Sequence, residues 1–462
     1  MTRYDLCVIG SGPGGQKAAI QAAKLGKKVC VIERMQQVGG VAIHTGTIPS
    51  KALRQAIIEA TGGKDHLQVR AEVKAGGLSI ISLLAACQRI IATEMEIVRV
   101  QLRRNGVDLI QGEASFLDAD TALVKRLDGE ARVTAENFIL AVGTEPVRPE
   151  HIPFDKECVL TSDDLIHLKR LPESLIVVGG GVIGTEFASM FARLGVRVTM
   201  VLSGSRVLEF LDSQIGEALQ YHMRSRGMTM RFGETLDSVE KLEDGPHPRV
   251  KVCVKSGKCL QADAFLLCIG RQGCTSALNL ENVGLESDRR GRIAVDKQYR
   301  TKVPNIYAVG DIIGFPSLAS TSMNQGRMAA AHIFGHHKVS MRRFFPFGIY
   351  SIPEISMVGD TEESLTEKGI PFETGSAGYK EIARGQLLGD DVGLLKILFC
   401  PTTRMVLGVH IIGTGATELI HIGQAVMALD GKMDYFIDSA FNYPTLAECY
   451  RVAALNGVNK LR

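Results

Sequence analysis

The chain has 462 residues, 45% of them hydrophobic, enough for about three globular units of ordinary size. Its 53 basic and 50 acidic side chains nearly cancel to a formal charge of +3, which excludes the dense positive face of a dedicated nucleic-acid binder. No apolar run approaches the about 20 residues that cross a bilayer, and the start Met1-Thr2-Arg3-Tyr4-Asp5 has no basic stretch leading into an apolar one, so neither a signal peptide nor an extracytoplasmic location is expected.

Residues 4–9 form a run that is apolar apart from Asp5, as a strand buried on both faces requires. Gly10-Ser11-Gly12-Pro13-Gly14-Gly15 follows, then a helical stretch over 16–25 carrying Ala18, Ala19, Ala22 and Ala23, then a strand over 29–32 closed by Glu33. Each part has a physical task in holding a dinucleotide. Gly10 permits a tight turn, Gly12 lets the backbone approach a pyrophosphate, and Gly15 lets helix and strand touch; the helix start stabilises phosphate and Glu33 accepts from a ribose.

A second copy begins at Leu175-Ile176-Val177-Val178, turns through Gly179-Gly180-Gly181-Val182-Ile183-Gly184, and continues as a helix over 185–194 and a strand over 196–201. Two such units imply two dinucleotides, the plan of a flavoprotein reduced by a pyridine nucleotide. The second strand ends in Leu202-Ser203-Gly204-Ser205-Arg206 where the first has Glu33. An acid there selects NAD by bonding both ribose hydroxyls; Ser203, Ser205 and Arg206 instead suit a 2′-phosphate. The second site is therefore expected to accept NADPH, with NADH as a further candidate, the alternative being that Arg206 is a solvated loop cation.

The cysteines at 7, 30, 87, 158, 253, 259, 268, 274, 400 and 449 are scattered, none in a C-x-x-C or zinc-ligand spacing. Most lie in apolar runs, where cysteine behaves as a small buried hydrophobe. Free core thiols and no metal are expected. His336-His337, after a helical stretch ending near Gly335, are expected to face solvent.

Further along the chain come Val38-Gly39-Gly40-Val41-Ala42-Ile43-His44-Thr45-Gly46-Thr47-Ile48-Pro49-Ser50-Lys51-Ala52-Leu53, then Ala141-Val142-Gly143-Thr144, Ile269-Gly270-Arg271, Ile306-Tyr307-Ala308-Val309-Gly310-Asp311 after Thr301, and residues 350–359. In that order these resemble the landmarks of the pyridine nucleotide-disulfide oxidoreductases, the family of dihydrolipoamide dehydrogenase and glutathione reductase. The resemblance implies an α/β fold with two Rossmann-like domains, for FAD and NAD(P), and a C-terminal α+β interface domain. It places FAD at Gly10, Gly12, Gly14, Gly15, Glu33, Arg34, Gly40, Thr47, Lys51, Gly143, Asp311 and Ala319. It places NAD(P)H at Gly179, Gly181, Ile183, Gly184, Ser203, Arg206 and Gly270.

Disulfide-reducing relatives carry cysteines where this chain has Ala42 and Thr47, and a catalytic histidine where it has Tyr443, followed by Glu448. Neither a methyl nor a hydroxyl can form the mixed disulfide that exchange requires, and a tyrosine is a poor acid–base partner near neutral pH. The replacements at 47 and 443 resemble those of one branch, the soluble flavin-dependent pyridine nucleotide transhydrogenases, as do 46–54, 314–320 and 441–445. The function implied is hydride transfer from NAD(P)H through flavin to another pyridine nucleotide; a quinone or other small acceptor is the alternative, and a non-catalytic binding protein a third reading. The resemblance places Lys51 with Glu186 near flavin N5, either supporting charge there or forming a structural ion pair. Thr47 would lie under the flavin ring, donating a hydroxyl bond or filling the space of a thiol, whereas His44 reads as a satisfied packing histidine.

The expected organisation is FAD binding over 1–147, NAD(P) binding over 148–270, the rest of the FAD region over 271–341, and an interface domain over 342–462. Pro346 and Pro353 bracket the beginning of the last unit, and its helical stretches over 415–427 and 446–455 carry apolar residues that a homodimer would bury. The family arrangement would bring Tyr443 and Glu448 to the partner's flavin.

Overall fold

The computed structural model describes residues 3–243, 245–336 and 344–461. His337 and the expected boundary at 341–342 lie outside the described residues; His336 is exposed. The strands Val29–Glu33, Arg3–Ile9, Gly129–Leu140 and Ile306–Ala308 pair in parallel, with Asp108–Gln111 at one edge and an antiparallel extension through Thr121–Arg126 and Glu113–Asp118. A second, wholly parallel sheet runs Thr229–Arg231, Arg197–Val201, Ser174–Val178, Ala264–Leu267, Val159–Thr161. Side chains of the central strands are buried on both faces, as parallel sheets between helices demand.

In both sheets the helix after the glycine turn starts inside the glycine run, at Pro13 and Val182 rather than at 16 and 185, with Gly12 and Gly181 as N-caps. Proline suits the first turn because that turn's N–H has no helical partner to lose. The N–H groups of each helix start are thereby left facing the turn. Helix Pro13–Lys24 packs on Ala319–Ile333 through two glycines: a Cβ at Gly326 would sit 2.0 Å from the Gly14 carbonyl oxygen.

The two sheets are joined by a short antiparallel ribbon, Thr144–Pro146 with Arg271–Gly273, where the chain leaves the first unit and returns to it. A three-stranded meander, Leu236–Leu242, Arg249–Val254 and Cys259–Ala262, packs on the second sheet through Val239, Val250, Val252, Ile176, Val178 and Val201. Here one expectation fails. Cys253 and Cys259 lie opposite each other across the hairpin and form a disulfide with an S–S distance of 2.02 Å, so the cysteines are not all free. Five intervening residues conceal an in-register pair, because the strands turn back between them. The remaining eight are free; burial pushes the Cys87 thiol up to about 11 and those of Cys158, Cys268 and Cys449 up to about 12.

The C-terminal sheet is antiparallel, in the order Phe347–Ile349, Ile355–Gly359, Val406–Ile412, Leu394–Phe399, Glu373–Gly378. Helices Ala416–Ala428 and Glu448–Asn459 cover it; Gly375 lets the latter approach so closely that a Cβ there would meet the Ala453 carbonyl at 2.1 Å. This domain is riveted to the second Rossmann unit by Lys396, wholly buried, which pairs with Asp212 at 2.7 Å and with Glu362. Asp212 also caps helix Ser213–Ser225 at the Gln214 N–H. Among the described residues no helix is long and apolar enough to cross a membrane.

Candidate active site

The first glycine turn is closed by backbone contact. A Cβ at Gly15 would sit 1.9 Å from the Gly10 carbonyl oxygen, and Gly10 adopts φ 103° beside Ala141. Gly12 faces open space, the opening a pyrophosphate requires. Buried Glu33 accepts from the Ser11 N–H at 2.9 Å, the Ser11 hydroxyl at 2.6 Å and the Met35 N–H at 2.9 Å. The Ser11 hydroxyl in turn accepts from the Gly39 N–H, so Glu33 ties the glycine turn to the segment beginning at Gly39. The second turn repeats this design: a Cβ at Gly184 would lie 2.5 Å from the Gly179 carbonyl oxygen, Gly179 has φ 115°, and Gly181 is open.

A cavity of about 310 Å³ follows the first turn. It is lined by Gly10, Gly12, Gly14, Glu33, Arg34, Gly40, Ala42, Thr47, Gly143, Asp311 and Ala319. A second cavity of about 930 Å³ adjoins it, sharing Val41, Thr45, Thr47, Asp163, Asp311, Ser317 and Ala319 and adding Lys51, Ile183, Glu186, Arg271 and Tyr350. The first is a cradle with a glycine turn, a helix start and a ribose-ready acid, and its unblocked Gly12 and Gly143 leave backbone free for close approach. These residues fit an FAD.

Lys51 and Glu186 meet in the second cavity. Lys51 lies on helix Thr47–Thr61 and Glu186 on helix Val182–Arg193, and Nζ is 2.7 Å from Oε2. Glu186 is buried, and its other oxygen accepts from the Tyr350 N–H at 2.8 Å. The Tyr350 ring lies 4.9 Å from the Lys51 Nζ, and burial pushes its phenol up. Lys51 keeps one face toward the cavity while its partner is fixed by backbone.

At the junction of the cavities Arg271 donates to the Thr144 hydroxyl at 2.8 Å and carbonyl at 2.7 Å and lies 3.4 Å from Asp163, which accepts from Thr45 at 3.1 Å. Asp311 accepts from Thr144 at 3.4 Å; burial raises its carboxyl, against the opposing pull of Arg271 and Thr144. Arg271, Asp163, Thr45 and Ser11 were missed as site residues. Only the turn sequence around Ser11 carried a local signal; the others are joined by pairings across more than a hundred positions.

His44, half-buried, lines the first cavity with its Nε2 2.9 Å from the Val38 carbonyl. Thr47 lies between the two cavities. Ser203 and Arg206 sit in the loop after strand Arg197–Val201, Gly270 before the ribbon. Tyr443, 75% exposed, and Glu448, with one buried carboxylate oxygen that has no hydrogen-bond partner among the described residues, line neither cavity of their own chain.

Two glycine-turn sheets joined by a ribbon, with a lysine–glutamate pair in the second of two adjoining cavities, define a two-dinucleotide flavoprotein oxidoreductase. The chain belongs to the pyridine nucleotide-disulphide oxidoreductase family: residues 4–326 match its main domain and 345–454 its dimerisation domain. It is 49% identical to the soluble pyridine nucleotide transhydrogenase of Mycobacterium tuberculosis over all of this chain and 98% of that one. It is 45% identical to the protein of the same name from Hahella chejuensis, over 99% of each. Among solved structures it is similar to the HOCl-induced flavoprotein disulfide reductase RclA from Escherichia coli in its Cu(II) complex, with 27% identity and a TM-score of 0.89 over 98% of this chain and 99% of that one. LpdA from M. tuberculosis gives 27% and 0.88 over the same shares. The family uses FAD and NAD(P)H.

Proposed function

We propose that the chain is an FAD-dependent pyridine nucleotide transhydrogenase that works without a dithiol beside the flavin. FAD, when bound, supplies a two-electron relay that takes hydride from one nicotinamide and returns it to another. The observation that carries this reading is the lining of the two cavities: Ala42 in the first and Thr47 at their joint bring no sulfur, and Lys51, held by Glu186, faces the second cavity. The Cys253–Cys259 disulfide sits on the outer meander and lines neither cavity. The relatives named as transhydrogenases, matched end to end, support the same reaction class.

The residues divide the work. The turn at Gly10–Gly15 with Glu33, Arg34, Gly40, Gly143, Asp311 and Ala319 holds FAD, and the turn at Gly179–Gly184 with Ile183 and Gly270 holds the pyridine nucleotide. Lys51 stabilises negative charge developing at the edge of the second cavity; Glu186, pinned by the Tyr350 N–H, positions it. Thr47 fills the joint. Tyr443 and Glu448 reach the site of the partner subunit in a homodimer. The chain divides at the ribbon, with residues 1–147 and 271–341 forming the FAD unit, 148–270 the NAD(P) unit and 342–462 the interface unit, in the cytoplasm.

Oxidation of NADPH by the FAD-loaded protein, offered either thio-NAD⁺ or a quinone, tests the reading. Reduction of thio-NAD⁺ is expected. Turnover with the quinone alone would overturn it in favour of a quinone reductase.

A further inference from the structure

The loop after the second Rossmann strand folds over the second glycine turn. The Leu208 N–H donates to the Gly180 carbonyl at 2.9 Å, and the Leu202 side chain fills the space beside Gly180, 2.3 Å from where a Cβ would be. The end of such a strand faces the adenosine ribose, so whatever charge this loop presents meets the 2′ position of the nucleotide.

The positive features of the loop are already engaged from within the chain. The Glu209 carboxylate turns back and accepts from the Ser205 N–H at 3.0 Å. It lies so close to Gly204 that a Cβ there would be 2.1 Å from its Oε1. Glycine at 204 is thus what lets the carboxylate fold in. Arg206 donates to the Glu209 carbonyl at 3.3 Å, and its other terminal nitrogen lies 3.7 Å from Glu363 of the C-terminal domain. Glu363 also accepts from the Ser213 N–H at 3.1 Å, which holds it in place beside the loop. A carboxylate therefore sits on the backbone donor that a 2′-phosphate would use, and the neighbouring cation is drawn toward a second carboxylate.

We propose that Glu209 is a specificity-determining residue: its carboxylate occupies the anion position of the nucleotide loop and disfavours a 2′-phosphate there. The inference rests on the second glycine turn being the pyridine-nucleotide site, and it revises the expectation that Ser203, Ser205 and Arg206 make that site one for NADPH first. NADH binds with the internal anion in place. NADP(H) binds only when the exposed Glu209 side chain swings off Ser205 and surrenders the N–H to phosphate. One site thus serves both nucleotides with a built-in handicap for one, through like-charge repulsion and competition for a donor.

The test uses the FAD-loaded protein and two variants, Glu209→Gln, which keeps the shape and removes the charge, and Glu209→Ala. Calorimetric dissociation constants are measured for adenosine 2′,5′-bisphosphate and for 5′-AMP, and kcat/KM for NADPH and NADH. In both variants the preference ratio for the 2′-phosphorylated compound is expected to rise about tenfold, by binding and by kinetics. Ratios within twofold of the parent in both variants would overturn the proposal, as would a fall. If the parent binds neither adenosine compound, the nucleotide-site reading itself fails, an outcome distinct from an unmoved ratio.

Discussion

Glu186 has both carboxylate oxygens engaged, one by the Lys51 ammonium and one by the Tyr350 N–H. A buried carboxylate is retained at such cost only when it is fully partnered, and the partner whose charge still reaches a cavity is Lys51, about a quarter exposed at 27%. Replacement of Lys51 by Met is therefore expected to lower kcat for transhydrogenation by about 10²-fold, the scale of losing one preorganised electrostatic group, while the KM values for the nucleotides change little. Steady-state kinetics beside a thermal melt checks this; a loss confined to KM, or one that merely follows a lowered melting temperature, would assign the pair a structural role. Individual residues were legible where chemistry forces a local pattern. The glycines at 10, 12 and 15 and the acid at 33 announce themselves by spacing, whereas Arg271, Asp163 and Thr45 become a network only after the ribbon brings residues 144 and 271 together.

At the level of elements, the two strands flanking each glycine turn, and the turns themselves, were readable because their burial and periodicity are properties of short segments. The helix Ile80–Arg104 went unread, and the helix starts at Pro13 and Val182 were placed late because glycine runs look like loop. The meander is the clearest miss: alternating burial in Arg249–Val254 marks a half-exposed strand, but only the register places Cys253 opposite Cys259. Cys259 is exposed and Cys253 half-buried, so a dithiol reductant has access. Counting thiols in the denatured, unreduced chain should give the eight free cysteines, and reduction beforehand should give all ten. By closing a short loop the bond stabilises the meander by about 2 kcal/mol on chain-entropy grounds, so the reduced protein should melt a few degrees lower. Ten thiols before reduction would show the pair to be open in solution.

For the whole molecule, the position of Tyr443 is the decisive observation. It is 75% exposed and, like Glu448, lines neither cavity of its own chain, while residues 345–454 match a dimerisation domain. Exposed apolar side chains of the same domain, Leu429 and Tyr435 among them, give that surface something to bury. A single sequence displays the apolar helices of such a surface but not what lies across it, which is why only the resemblance brings Tyr443 to a partner's site. If each site draws Lys51 from one chain and Tyr443 from the other, two crippled chains should repair one another. A hybrid of Lys51→Met and Tyr443→Ala subunits contains one site with both native residues and one with neither. Each homodimeric variant should be impaired, and the purified hybrid should regain about half the activity of the parent dimer, the share expected of one intact site in two. Were Tyr443 to serve its own chain, every site of the hybrid would carry one defect and mixing would restore nothing. Native mass measured alongside closes the test, since a particle at the 50.0 kDa of one chain, rather than twice that, would remove the shared site altogether.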